Sequence, residues 1–289
     1  MRKVLLSIAA ITLAVGCQQD KQAPGWSKGN AGPGASPPMG GGSHGDVDAR
    51  VARLEKKLDK ISAFLKQAVP PELDTNQVYA VPVEAGDSVV GAKDAKVTIV
   101  EAFEFLCPYC KMMAPTMEQL VAAYPNDVRV VPKYMVIHGP PAMPPGLALC
   151  AAGKQGKGGE MEKALWEAIW PAGPGNAQRD KATPEAIEAM AGTLGLNMEQ
   201  FKTDMNGPEC QAWLQQSGRT LQKFGVGGTP SFFVNGKPVK AGDLDSFKKV
   251  VEAEIKAANE SGIPAASYYD QAVLAKGKKE AVMISPFDD

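Results

Sequence analysis

The sequence predicts a mixed α/β fold that is interrupted by an all-helical insertion and preceded by an N-terminal helix of coiled-coil character. Three observations carry this. Two runs rich in β-branched residues, 97–103 and 128–136, flank a helical stretch that opens on Pro108, and that order makes a β-α-β unit with parallel strands. Between residues 144 and 224 almost every segment has helical periodicity, and strand signals return only at Pro230. Upstream, Val47, Val51, Leu54, Leu58, Ile61 and Leu65 recur at steps of four and three, which is the seam of a coiled coil.

Composition bounds the rest. With 289 residues, 44% of them hydrophobic, the chain holds one large domain or two modest ones, and a formal net charge of -1 argues against nucleic acid or an anionic membrane surface as a main partner. Arg2 and Lys3 precede an apolar run over 4–15 that is too short to span a bilayer and reads as an export signal over 1–16. Leu13-Ala14-Val15-Gly16-Cys17 resembles the lipobox of bacterial lipoproteins, which implies that Cys17 is lipidated; the alternative is a soluble secreted protein with a cysteine near its cleavage point. Five cysteines would leave an exported protein one odd thiol, and lipidation of Cys17 leaves Cys107, Cys110, Cys150 and Cys210 as two pairs.

Residues 17–46 are Gly, Pro and Ser with scattered polar groups, a lipid-anchored flexible linker. The heptad helix follows over 47–69 and is stopped by Pro70-Pro71. Its seam predicts a homo-oligomer, dimer or trimer; the alternative is an amphipathic helix packed on its own domain. The folded domain is assigned to 70–260. In it, 97–103 is a buried strand, and 108–123 is a helix whose apolar side holds Met112, Met113, Met117, Leu120 and Val121. Inside the insertion, Thr183-Pro184-Glu185 is a helix start with a hydroxyl cap and proline in the first turn. Strands at 230–234 and 237–239 are joined by Asn235-Gly236, a hairpin turn, and 244–258 is a long helix. In the tail, 261–289, a short helix at 265–275 precedes a frayed end.

The chemistry sits in Cys107-Pro108-Tyr109-Cys110, placed where an apolar strand runs out and a helix begins. Such a pair can pass two electrons between dithiol and disulfide. Cys107 opens the helix, where unpaired N–H groups favour thiolate, so it is expected to be an exposed nucleophile with a lowered pKa. Pro108 suits the first turn, and Cys110, one turn in, is the more buried resolving thiol. A zinc site would need a second ligand pair at short spacing, which Cys150, Cys210 and His138 do not supply; neither metal nor cofactor is expected. Glu104 reads as a surface charge, and Trp166, Trp170 and Trp213 read as core.

CPYC, the segment Gly225-Val226-Gly227-Gly228-Thr229-Pro230-Ser231-Phe232-Phe233-Val234-Asn235-Gly236 and the helical insertion together resemble the thioredoxin fold as elaborated in the DsbA-like thiol:disulfide oxidoreductases, over roughly 81–258. The resemblance implies that Pro230 is a cis-proline facing the cysteine pair and that Thr229 presents backbone to substrate. It also implies that Glu101 and Lys133 are an internal acid and a lysine beneath the site, Glu101 relaying the proton of Cys110. Cys150 and Cys210, both in the insertion, would be joined in an oxidising compartment as a structural staple rather than as a second redox relay. CPYC followed by Thr229-Pro230 resembles the isomerase-like DsbG members more than the oxidase DsbA, whereas the body of the domain resembles the DsbA-like group. Direction is therefore open, with a lean to isomerase or reductase. The implied partners are exported proteins with cysteines and a membrane or periplasmic redox partner, in the bacterial envelope, facing the periplasm. Gln18 after Cys17 favours the outer membrane. Two rivals are a copper-handling lipoprotein using Cys107 and Cys110 as soft ligands and a redox-inactive scaffold lipoprotein.

Overall fold

The computed structural model describes residues 44–68, 71–84 and 86–285. The export signal at 1–16, Cys17 and the linker up to residue 43 lie outside the described residues. The chain divides into two compact units between Lys57 and Leu58. Helix α1, His44–Ala68, starts earlier than the expected 47. Its seam residues Val47, Val51, Leu54, Leu58 and Ile61 are exposed, as is Phe64. No described helix is long and apolar enough to cross a membrane.

In the second unit the order after α1 is β1 (Glu72–Leu73), β2 (Val90–Gly91), β3 (Val97–Phe103), α2 (Pro108–Ala123) and β4 (Val128–Tyr134). The helical insertion follows as α3 (Met143–Gly153), α4 (Gly158–Ile169), α5 (Pro184–Thr193), α6 (Met198–Asn206) and α7 (Pro208–Lys223). The chain returns to the sheet in β5 (Ser231–Val234) and β6 (Lys237–Val239), then forms α8 (Leu244–Glu260), α9 (Ala265–Tyr268) and β7 (Met283–Ile284). The main sheet runs β2-β4-β3-β5-β6. β3 and β4 are parallel, as the β-α-β reading requires, and β5 lies antiparallel to β3.

β3 is central and buried at every position, which is why it reads as an unbroken apolar run rather than an alternation. α2 and α8 cover one face of the sheet through Ile99, Met117, Leu120, Phe232, Phe247 and Val251. Tyr79, Val100, Val131, Leu221 and Phe233 fill the other. The insertion has its own core, which continues from the end of β3 through Phe103, Phe105, Tyr134, Leu165, Trp166 and Phe201. A disulfide between Cys150 and Cys210 closes a separation of 60 residues and joins α3 to α7. α3 lies hard against β4: a Cβ at Gly146 would sit 2.7 Å from the Tyr134 ring and 2.8 Å from Leu214.

The hairpin turn is as expected, with Asn235 and Gly236 at φ of 45° and 77°, the pair of positive values that a type I′ turn requires. A side chain at 236 would overlap the Tyr79 carbonyl.

After 260 the short helix expected at 265–275 is present, and the last residues, 286–289, lie outside the described residues. α9 runs on as a π-helical turn, Tyr269–Leu274, and the Tyr269 hydroxyl donates to the Val81 carbonyl at 2.7 Å. β7 then pairs antiparallel with β1. Through residue 285 this stretch belongs to the folded domain, tied down by backbone pairing that no sequence period announces.

Candidate active site: a dithiol at the start of a helix

β3 delivers the chain to a buried loop, and α2 begins immediately after Cys107, which takes the cap position with φ −83° and ψ 117°. Pro108 follows in the first turn, where its missing N–H costs nothing. The Cys107 N–H donates to the Glu104 carbonyl at 3.2 Å, and the Cys107 carbonyl accepts from the Lys111 N–H at 3.2 Å. Both sulfurs are free thiols. Cys110 is fully buried, as expected, whereas Cys107, expected to be exposed, is only 2% exposed. What covers Cys107 is the loop before β5. The Cys107 thiol lies 3.3 Å from the Thr229 carbonyl oxygen, and the Thr229–Pro230 peptide is cis. Tyr109 is the exposed member of the motif.

The electrostatics separate the two sulfurs. Cys107 is held down to about 5, chiefly by a hydrogen bond from the Cys110 thiol, against the opposing effect of burial, with further help from Thr229 and from the N–H groups of Cys110 and Tyr109 at the helix start. Cys110 is pushed up, first by its bond to Cys107 and then by burial. One sulfur is therefore anionic at neutral pH while its neighbour keeps its proton.

Glu101 is buried in β3, and burial first, then the charge of Glu162, raises its carboxyl to about 8. It lines a cavity of about 530 Å³ between α2 and α4, with Phe103, Glu118, Glu162 and Trp166. Lys133 does not join it. Glu101 pairs with Pro132 across the β3–β4 ladder, so the next residue points to the other face of the sheet. There Lys133 is fully buried and donates to Asp87 at 2.6 Å and Glu84 at 3.0 Å. The expected placement of acid and lysine together beneath the site is thus corrected: a one-residue offset in register separates them.

Glu104 is a second correction. It is fully buried rather than on the surface. One carboxylate oxygen accepts from the N–H groups of Ile137 and, at 3.1 Å, His138, and the other lies 2.6 Å from His138 Nδ1. Tyr134, unassigned from the sequence, accepts from the Phe105 N–H at 3.4 Å and donates to the Ala142 carbonyl at 2.8 Å. Trp170 Nε1 donates to the Phe105 carbonyl at 2.7 Å. The insertion thereby holds the loop that leads into Cys107.

Residues 84–253, more than half of the chain, match a family described as thioredoxin. The chain belongs to the thioredoxin family. Among solved structures, this thioredoxin-family chain resembles a thioredoxin-like oxidoreductase from Silicibacter pomeroyi, with a TM-score of 0.52, 32% identity, and coverage of 60% of this chain and 94% of that one. It is 24% identical to disulfide bond formation protein D of Bacillus subtilis, over 64% of this chain and 84% of that protein. It is also 31% identical to the Na(+)/H(+) antiporter NhaA 3 of Salinispora tropica over 54% of its own length, but spans only 23% of that relative. The thiol:disulfide interchange protein DsbA of Pseudomonas syringae matches at 25% identity, over 59% of this chain and 75% of that protein.

Proposed function

We propose that the protein exchanges thiols and disulfides with exported proteins through Cys107 and Cys110. The observation that carries this reading is the Cys107 sulfur, held near pH 5 at a helix start and set 3.3 Å from the Thr229 carbonyl. In the reducing direction the Cys107 thiolate attacks a substrate disulfide, forming a mixed disulfide and releasing one substrate thiolate. Cys110, losing its proton, then attacks the Cys107 sulfur, which frees the second substrate thiolate and leaves the pair oxidised, two electrons having passed to the substrate. In oxidation the same steps run backwards. In isomerisation a second substrate thiolate resolves the mixed disulfide and the pair ends as it began. Pro230 and Thr229 form the wall along which the substrate chain lies. Glu101, a carboxyl raised to about 8, relays the proton of Cys110: it gives its own proton to the solvent of the neighbouring cavity and takes that of Cys110 as the second attack proceeds.

The Thr229-Pro230 pair and the α1 seam support shuffling as the direction, the seam by bringing active sites together in a homo-oligomer through 47–69. The depressed Cys107 supports the alternative: a stabilised thiolate stabilises the reduced form and makes the disulfide a stronger oxidant, by about 30 mV for each 1.4 kcal/mol. Recovery of scrambled ribonuclease faster than oxidation of reduced ribonuclease is the result expected of a shuffling protein; the reverse order assigns it as an oxidase. Activity of either kind is expected to vanish in Cys107→Ser, and full biological activity in that variant sinks the reading in favour of a scaffold. Copper handling is tested by equilibrium dialysis against Cu(I), where tight binding without insulin reduction would favour it. Lipidation at Cys17, placement in the envelope facing the periplasm with the outer membrane favoured, and a redox partner that resets the pair complete the proposal.

A further inference from the structure

We propose that Glu104 and His138 are positioning residues of the dithiol site: the pair ties the active-site loop to the segment after β4, and its carboxylate, balanced by the imidazole, opposes the thiolate at Cys107. This rests on the redox reading above and adds to it a way of setting the strength of the pair.

Glu104 meets the cysteine pair through its own backbone. Its carbonyl accepts the Cys107 N–H at 3.2 Å, and its backbone works against the rise of the Cys110 thiol. Its side chain, fully buried, turns the other way and meets only donors: the N–H groups of Ile137 and His138, and His138 Nδ1 at 2.6 Å. An acceptor surrounded by donors is the arrangement for an ionised carboxylate, and a buried carboxylate is tolerated only when paired in this way. Its charge is felt by the groups that face it. The Tyr134 phenol, packed between Phe105 and Ala142, is pushed up by burial first and by Glu104 next. The titratable groups that meet the Glu104 carboxylate are His138 and Tyr134, while Cys107 at the cap of α2 and Cys110 inside it lie on the chain that follows.

A tie between two segments needs only neutral groups; a carboxylate brings a field as well. A buried negative charge three residues from a sulfur that must ionise disfavours the thiolate, and a hydrogen-bonded imidazole draws that charge away from it. The two partners therefore act in opposite senses on the same sulfur, which a structural clamp would not do. His138 is 32% exposed at its side chain, so solvent reaches the outer partner of the pair.

The test is the equilibrium constant with glutathione together with the pH profile of Cys107 alkylation, on the full chain. Glu104→Gln keeps an acceptor for the two N–H groups and an amide toward Nδ1 but removes the charge. It is expected to ionise Cys107 at lower pH and to make the pair more oxidising by about tenfold in the equilibrium constant, about 30 mV. His138→Ala leaves the carboxylate less balanced and is expected to move both readouts the other way. His138→Asn, whose amide nitrogen can take the place of Nδ1, is expected to stay within about twofold of the natural protein. If His138→Ala does not fold, Glu104→Gln against His138→Asn decides. Shifts of the same sign in Glu104→Gln and His138→Ala, or an unchanged constant and pH profile alongside a lowered unfolding midpoint, overturn the proposal and leave a clamp. A natural protein that does not exchange with glutathione at all sinks the redox reading and this proposal with it; exchange by the natural protein with matching variants overturns this proposal alone.

Discussion

Glu101 carries a cost that can be measured. Its folded-state carboxyl keeps its proton up to about pH 8, whereas an unfolded chain releases it near 4.5. Over that interval the native state binds more protons, so stability falls as pH rises from about 4.5 to about 8 and is level above. Glu101→Gln is expected to abolish that decline and to be the more stable protein at pH 9, by on the order of 3 kcal/mol, in urea titrations of the oxidised form, where the cysteine pair does not titrate. Equal pH dependence in both proteins would place the carboxyl in water. At this scale the sequence speaks unevenly. Cys107 and Cys110 are legible because a helix start after a buried strand is a physical argument for a thiolate. Glu104 is illegible for a matching reason: it sits in a loop with no period, and its partner His138 lies 34 residues on, beyond any local pattern. Lys133 is legible as a buried strand residue, but its face depends on the β3–β4 register, which no local signal sets.

Elements with strong local signals match their expected bounds: β3, α2, β6 and the start of α8 fall where residue type and capping put them. The two-residue strands β1, β2 and β7 do not announce themselves, since an alternation needs more than two residues to be seen. Two experiments belong here. Replacing both Cys150 and Cys210 by Ala removes the link between α3 and α7; closing a loop of about sixty residues is worth on the order of 4 kcal/mol in the chain-entropy model, and the urea midpoint is expected to drop accordingly. Tyr269→Phe removes the bond to Val81 that anchors the π-helical turn, and a loss of about 1 kcal/mol is expected. No loss in the second would mean that the turn is held by packing and backbone pairing without the phenol.

At the scale of the molecule, α1 presents a line of exposed apolar side chains, Val47, Val51, Leu54, Leu58 and Ile61, which single chains seldom leave uncovered. A second copy of the same helix is the occupant that a heptad seam fits. Light scattering is expected to give a dimer or trimer, and Leu54→Glu with Leu58→Glu a monomer whose insulin reduction is kept while its recovery of scrambled ribonuclease declines. A monomeric natural chain would remove the oligomer from the account. The coarse plan of sheet, insertion and hairpin is readable because it is written in periods, whereas the return of the last residues to β1 rests on contacts across the whole length of the chain. Gly146 sets a last condition. There is no room for even a methyl group between α3 and the Tyr134 ring, and Tyr134 is fastened to the loop before Cys107, so α3 and that loop are packed as one piece. On the proposed exchange reading, the chain that brings its sulfur here does the bending, which favours clients still unfolded, or loosely folded, over cystines locked in finished proteins.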